Sequence, residues 1–358
     1  MRILQVGSGM MHWAGTEKYV CELSESLLQR GHEVAVACSD GSSLESRCAE
    51  RGVSRVRLVM RRPMDWPQLA SFVRAMRCKY DVVHIHGYRD YVIPALAARL
   101  ARIPAVVMTR HLPHAFRSPL RAKLCSCVFY DRIIAVSEFV KDVLLGSGVP
   151  AQRVTVVHNG VAMPVATPAD ATLRAEFGIP SDAFLVGAAG RIEPRKGFDV
   201  LVRAMRRVDG HCLIFGDGGR PGLCELVNRL GICGRVHLPG FRQDVARLWA
   251  SADVVVVPST WPDCFPYVAV EALAAGRPVV ASRIGGIPEA CGDDCAVLVT
   301  PGNDAELASA LCGLAASRER RTMMGAAGLV RARRFSLERM VEGVEQVYGS
   351  LLDGRTAR

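Results

Sequence analysis

The sequence predicts an α/β protein made of two doubly wound, Rossmann-like domains in tandem. Three observations carry that expectation. The chain has 358 residues, too many for one ordinary hydrophobic core and suited to two domains of about 150–200 residues each. Short apolar runs rich in Val and Ile alternate with helix-period segments in two separate series, the pattern of parallel sheets covered on both faces. Between the series, over residues 161–175, the pattern lapses into Ala, Pro and Thr, the composition of a linker.

In the first series, strands are expected at residues 3–6, 34–38, 56–59, 82–86, 105–109, 133–136 and 154–157. Helices between them include 17–30, 68–77, 91–101 and 138–145. The second series places strands at 185–189, 212–215, 236–238, 254–257, 279–281 and 296–299. Its helices are expected at 200–208, 221–230, 245–251, 265–275 and 305–315. Everything after Arg318 reads as helix, ending in an amphipathic segment over 337–352. The expected domains are therefore 1–165 and 166–335, with a last helix over 336–358. Two such domains facing each other bring their strand ends, and so their ligands, to a cleft.

Half of the residues are hydrophobic and 22% are charged, which is ordinary globular composition. No apolar run reaches the ~18 residues of a membrane span. The opening residues read as a strand entering a glycine turn and not as a signal peptide. Thirteen cysteines, an odd number without framework spacing, read as reduced thiols in a cytoplasmic protein. Cys125/Cys127 and Cys291/Cys295 lack the matching Cys or His pairs of a zinc site.

The net charge is +10, and residues 1–165 hold 22 Lys/Arg against 13 Asp/Glu, while residues 166–358 hold 23 against 22. The basic excess belongs to the first half. Aromatics are few and no recognition motif accompanies the charge, so nucleic acid is not expected. An anionic acceptor, or the anionic inner face of a membrane, fits better. A plain Arg-rich surface is the competing reading.

The most informative stretch runs from Pro258 to Gly276. A buried strand ends at Val257, turn residues follow (Pro258, Ser259, Pro262), and a helix is expected from about residue 265, with Pro266 near its first position and Gly276 past its end. Asp263 and Glu271 lie eight positions apart. Eight helical residues span about 12 Å, roughly the length of a nucleoside diphosphate between its ribose and its sugar. The helix start over Phe265, Pro266, Tyr267 and Val268 offers a positive dipole end and, except at Pro266, free N–H groups to a diphosphate. This stretch reads as the grip on a nucleotide-sugar.

Other motifs sit at strand ends. Gly7-Ser8-Gly9 lacks the third glycine of a dinucleotide fingerprint, since position 12 is His12. The loop runs on to Gly15, where a helix N-terminus could meet a phosphate or simply close a turn. Arg191 and Lys196, five apart after the strand ending at Ala189, suit a clamp on pyrophosphate oxygens, with solvated surface charge as the alternative. No paired Asp motif for Mg²⁺ accompanies them, so the two cations are expected to act in place of a metal, with no cofactor. His111 follows a strand and could touch the transferred sugar, whereas His84, His86, His114 and His158 have weaker claims. Gly216, Phe241 and Arg242 follow two further strands and suit a base pocket, and Gly285-Gly286 supplies small-residue backbone near the central helix. Turn chemistry competes for all three of these loops.

These stretches resemble the retaining nucleotide-sugar glycosyltransferases of the GT-B fold, family 4. The resemblance is carried by Gly190-Arg191 through Lys196-Gly197, Phe215 to Gly218, Pro239-Gly240-Phe241, Ala252 to Ser259, Asp263 to Glu271, and Gly285 to Glu289. Gly15-Thr16-Glu17, His86, His111 and Asn159-Gly160 extend it more loosely over the first half. It implies that Arg191 and Lys196 bind the donor diphosphate, that Glu271 binds the ribose, and that Gly15 lets the N-terminal loop approach the phosphates. His111 would contact the donor sugar or support the reacting centre, and the last helix would cross back onto the first domain. The first domain would hold the acceptor, and its basic excess points to a glycan or lipid-linked acceptor, as in cell-envelope or lipopolysaccharide synthesis at the inner face of the cytoplasmic membrane. Asp263 departs from the family's usual Glu by one methylene, which bears on the identity of the sugar. A GT-B-fold epimerase, needing no acceptor, and a nucleotide-binding subunit without turnover are the rival readings.

Overall fold

The computed structural model describes residues 1–7, 15–57, 66–87, 92–116, 118–163 and 171–356. Several sequence expectations lie outside these residues: Gly9, His12 and Ala14 of the first glycine loop, residues 58–59 of the third strand, Tyr91, and the Pro- and Thr-bearing stretch 164–170. The chain forms two compact units, Met1–Gly160 with Leu337–Arg358, and Val161–Ser336.

The first unit alternates β1 (Arg2–Val6), α1 (Gly15–Gln29), β2 (Glu33–Cys38), α2 (Ser43–Glu50), β3 (Ser54–Arg57), α3 (Leu69–Met76), β4 (Val82–Gly87), α4 (Val92–Leu100), β5 (Ala105–Arg110), α5 (Pro119–Val128), β6 (Arg132–Ala135), α6 (Glu138–Gly146) and β7 (Val154–Val156). Its sheet has the order β3-β2-β1-β4-β5-β6-β7, with every pairing parallel. Every residue of β4 and β5 is buried, the mark of strands covered on both faces, and β4 buries His84 and His86 along with its Val and Ile residues.

The second unit contains α7 (Ala171–Glu176), β8 (Leu185–Ala189), α8 (Phe198–Ala204), β9 (His211–Phe215), α9 (Arg220–Arg229), β10 (Val236–Gly240), α10 (Val245–Ser251), β11 (Val254–Val257), α11 (Tyr267–Ala274), β12 (Val279–Ser282), α12 (Ile287–Cys291), β13 (Ala296–Val299), α13 (Asp304–Ala315) and α14 (Arg318–Ala332). Its parallel sheet runs β10-β9-β8-β11-β12-β13. The strand order reverses between β1 and β4 in the first unit and between β8 and β11 in the second. Ligands of open α/β sheets bind beyond the strand ends at such reversals.

The last helix, α15 (Leu337–Thr356), belongs to the first unit. Met340, Val341, Val344, Val347 and Tyr348 recur at helical spacing and share one core with Ile3, Tyr19, Leu23, Leu27, Val82 and Val107. At its rim Arg30 donates to Glu345 at 2.7 Å and to Glu342 at 3.2 Å, and His32 meets Glu345 at 2.7 Å. The expected return of the chain to its first domain is thus built from a continuous apolar stripe with charged edges.

Two local expectations are corrected. Pro266 is the N-cap of α11 and not its first residue, with ψ at 115°. Residue 265, preceding a proline, is disfavoured from helical geometry, so the helix begins at Tyr267. Part of the expected linker is ordered, since residues 171–176 form α7. Replacing Met340 by Ala should destabilise the first unit by about 2–5 kcal/mol, read as an earlier denaturant midpoint. An unchanged midpoint would mean that α15 contributes nothing to that core.

Candidate functional site

In the second unit the residues singled out by sequence emerge at the C-terminal ends of β8, β9, β11 and β12, strands that lie side by side. Their loops are stitched backbone to backbone. Ile192 N–H donates to Asp217 O at 2.7 Å, and Gly219 N–H returns to Ile192 O at 2.7 Å. Gly190 N–H donates to Phe215 O and Gly216 N–H to Gly240 O, both at 2.9 Å. On the other side, Thr260 N–H reaches Arg195 O at 3.0 Å and its hydroxyl reaches Pro194 O at 3.0 Å. Gly286 N–H donates to Asp263 O at 2.7 Å.

Two glycines permit this approach. Gly197 has φ 67°, and a Cβ there would lie 2.0 Å from Pro258 O. Gly285 has φ 61°, and a Cβ there would lie 2.5 Å from Asp263 O. Both positions combine a left-handed backbone with no room for a side chain, so only glycine fits.

The stitching brings together two groups separated by 67 residues. Lys196 Nζ donates to Asp263 Oδ2 at 2.6 Å, with Lys196 33% and Asp263 19% exposed. A cation and a carboxylate thus share one partly open spot at the sheet's reversal point. Among the described residues no side chain caps α11, and the Asp263 carboxylate binds Lys196. Arg191 is exposed, 4.0 Å from Glu193 Oε1, on the same loop as Lys196. Glu271 lies one turn before the end of α11 and accepts a hydrogen bond from the Trp249 indole at 3.4 Å. Phe241 projects with 61% exposure from the end of β10, free to stack on a flat ring. Tyr267 and Val268 open α11 and are partly buried.

Two expected ligand residues have other duties. The Arg242 guanidinium is held by Asp244 at 2.6 Å and by Glu176, and it lies over the Phe215 ring at 5.2 Å. Hydrogen bonds to Asp244 and then Glu176 push its pKa up, so it braces the loop after β10 rather than offering a free charge. Phe265 is buried, edge-on to Phe335 at 5.0 Å, and its ring belongs to the packing of the loop before α11.

In the first unit Gly15 is the exposed first residue of α1. His111 follows β5 and is half-buried, its ring 4.7 Å from Tyr19 and its Nε2 3.3 Å from His86 Nδ1. His86 Nε2 lies 2.6 Å from Gln5 Oε1, and Gln5 Nε2 lies 3.3 Å from the Tyr348 hydroxyl. That hydroxyl lies 2.6 Å from His84 Nδ1, and His84 Nε2 lies 2.7 Å from the Thr109 hydroxyl. Sequence spacing could reveal only that His84 and His86 share one face of β4. The links to Gln5 and Tyr348 depend on strand pairing and on α15.

Burial drives all three imidazoles below their ordinary 6.5, His111 to about 3. The folded state therefore holds them neutral, while the unfolded chain takes up protons below pH ~6.5. Stability of the first unit should fall as pH drops from about 6.5 toward 3, by up to about 1.4 kcal/mol per pH unit for each histidine. Urea unfolding at pH 7.5, 6 and 5 measures this. A flat profile would contradict the neutral cluster.

Among the described residues no group of three or more His, Cys, Asp or Glu is placed to hold a metal ion, and no helix is long and apolar enough to cross a membrane. Comparison with known proteins bears on both halves of the chain. Residues 13–163 match the model described as Glycosyltransferase Family 4, and residues 183–317 match that described as Glycosyl transferases group 1. The D-inositol 3-phosphate glycosyltransferase of Mycolicibacterium smegmatis is 33% identical over 81% of this chain and 76% of its own length. That of Xylanimonas cellulosilytica is 31% identical over 96% and 93%. Among solved structures, Anabaena HepE in complex with UDP superimposes with a TM-score of 0.86 at 24% identity, covering 98% of this chain and all of that one. A glycosyltransferase from Rickettsia africae gives 0.89 at 21%, covering 98% of each chain. With matches over both units and relatives aligned along most of its length, the chain belongs to the GT-B-fold glycosyltransferases of family 4.

Proposed function

We propose that the chain is a retaining, metal-independent glycosyltransferase that takes a sugar from a nucleoside-diphosphate sugar and passes it to a hydroxyl of an anionic acceptor. The observation that carries this reading is the Lys196–Asp263 pair at the junction of the strand-end loops. A diphosphate arriving there competes with Asp263 for the ammonium. Once Lys196 turns to the phosphates, Asp263 is released to accept hydrogen bonds from sugar hydroxyls beside them. Arg191 adds a second cation, and the two charges stabilise the departing diphosphate without a metal. Glu271 takes the ribose, Phe241 the base, and Gly15 the phosphate side of the N-terminal loop. His111 serves the reacting sugar, and the leaving diphosphate takes the acceptor's proton.

The acceptor reading rests on the first half's basic excess, 22 Lys/Arg against 13 Asp/Glu. A phosphorylated polyol of the kind in the names of the curated relatives fits that charge. A lipid-linked acceptor of the cell envelope, met at the anionic inner face of the cytoplasmic membrane, is the second reading. It is favoured by α5, whose Leu120, Leu124 and Val128 are 79%, 59% and 49% exposed, with exposed Lys123 among them. Failure to float with anionic vesicles at low salt would remove it.

A thermal-shift screen of UDP-, GDP- and ADP-sugars tests the donor, since a ligand that binds only the native state must raise the midpoint. UDP-sugars come first, because the Anabaena neighbour was solved with UDP and with UDP-glucose. Lys196→Ala should lower turnover on the order of 100-fold and weaken nucleoside diphosphate binding. Asp263→Asn should lower turnover while binding the nucleoside diphosphate alone at least as tightly, because Lys196 loses its competitor. Weaker diphosphate binding by Asp263→Asn would refute the exchange.

A further inference from the structure

We infer that α15 sets the position of the proton on His111 through a chain of buried side chains, and that Tyr348, Gln5 and His86 are positioning residues for a histidine that accepts a substrate hydroxyl's hydrogen bond at Nδ1. Only the last step, the substrate hydroxyl, rests on the glycosyltransferase reading.

The chain can be followed atom by atom. Gln5 turns its carbonyl to His86, 2.6 Å from Nε2. A carbonyl only accepts, so His86 carries its proton on Nε2. His86 is fully buried and neutral, so its Nδ1 is a bare lone pair. That lone pair faces His111 Nε2 at 3.3 Å, so His111 must donate there. A neutral His111 with a proton on Nε2 has none on Nδ1.

The other arm completes the same direction. The Gln5 amide nitrogen donates to the Tyr348 hydroxyl at 3.3 Å. The tyrosine's single proton then goes to His84 Nδ1 at 2.6 Å, and His84 donates from Nε2 to the Thr109 hydroxyl at 2.7 Å. Each link has one donor and one acceptor. Gln5, His84, His86, Thr109 and Tyr348 are all 0% exposed, so water does not substitute for a missing partner, and a reversal must be concerted.

Turning the Gln5 amide by half a turn would reverse every link and put the proton on His111 Nδ1. One buried amide, held between the first strand and the last helix, therefore decides whether His111 meets a substrate as an acceptor or as a donor. A bare Nδ1 accepts a hydrogen bond from a hydroxyl of the reacting sugar and keeps no proton, so the acceptor's proton still passes to the leaving diphosphate. Tyr348 lies 343 residues from Gln5 in sequence, and it links that amide to the histidine pair on β4.

The test is the imidazole nitrogen spectrum of the full-length protein labelled with ¹⁵N-histidine. The nine histidines are distinguished by long-range proton–nitrogen correlation, and His111 is assigned by its loss in His111→Asn. The expected pattern at pH 7.5 is a neutral His111 with its proton on Nε2. Tyr348→Phe keeps the ring and removes the hydroxyl. It should leave His111 as a mixture of both tautomers and lower kcat on the order of tenfold, with KM for the donor little changed. Gln5→Met, of similar volume, breaks the chain at another link and should give the same mixture if Tyr348→Phe fails to fold. A wild-type His111 protonated on Nδ1, or a tautomer indifferent to both substitutions, would overturn the inference. The spectrum needs no substrate, so it can succeed or fail independently of transferase activity.

Discussion

Parallel strand pairing is the constraint from which the rest of the molecule follows. A parallel neighbour cannot be reached by a tight turn, so each strand is followed by a crossover and the strands of a sheet all end on one edge. In the second unit that edge carries Arg191, Lys196, Gly216, Phe241, Asp263 and Gly285, all drawn from loops that follow strands. In the first unit the same edge carries His86 and His111. The second unit's sheet places polar chemistry at its rim because strands such as Val254–Val257 are buried along their length, leaving no solvated face inside it, whereas the first unit also buries paired polar groups, His84 and His86, within β4.

At the rim the scarce resource is room. Loops from adjacent strands approach until backbone meets backbone, and glycines at 197 and 285 take the positions where a Cβ would collide with a carbonyl. Asp263 is thereby held by its own main chain, through Gly286, while its side chain reaches Lys196. A side chain one methylene shorter than the family's usual Glu suffices for a 2.6 Å contact because the loop positions, and not the side chain, cover the distance. Interactions of exposed ion pairs are small; what matters here is that the pair leaves neither charge committed so deeply that a more highly charged ligand could not displace it.

Much of this was legible in the sequence. Apolar runs such as 254–257 have no other sensible reading, and motif order located the loops that carry Lys196 and Asp263. What could not be read was which side chains meet. Lys196 and Asp263 are joined only by the register of β8 against β11, a property of tertiary packing. Arg242 and Phe265 looked like ligand groups because residue type and loop position are all that sequence offers. Glu176 and Phe335, which occupy them together with the neighbouring Asp244, lie at sequence distances that no local pattern encodes. The sequence pattern starts α11 two residues earlier than the structure does, because Pro266 suits both a first helical position and an N-cap. His84 and His86 could be seen to share a face, but not that Gln5 and Tyr348 complete them.

The placement of α15 also orders events during synthesis. The second unit is one unbroken segment, Val161–Ser336, and all of its core has been made once Ser336 is added. The first unit is begun earlier but lacks Met340, Val341, Val344, Val347 and Tyr348 until the whole of the second unit has been made. Its buried histidines on β4 wait for the same helix to supply a hydroxyl. The N-terminal half therefore matures last, reversing the usual N-to-C order in which domains fold on the ribosome, and through that interval it exposes the groove that α15 will fill.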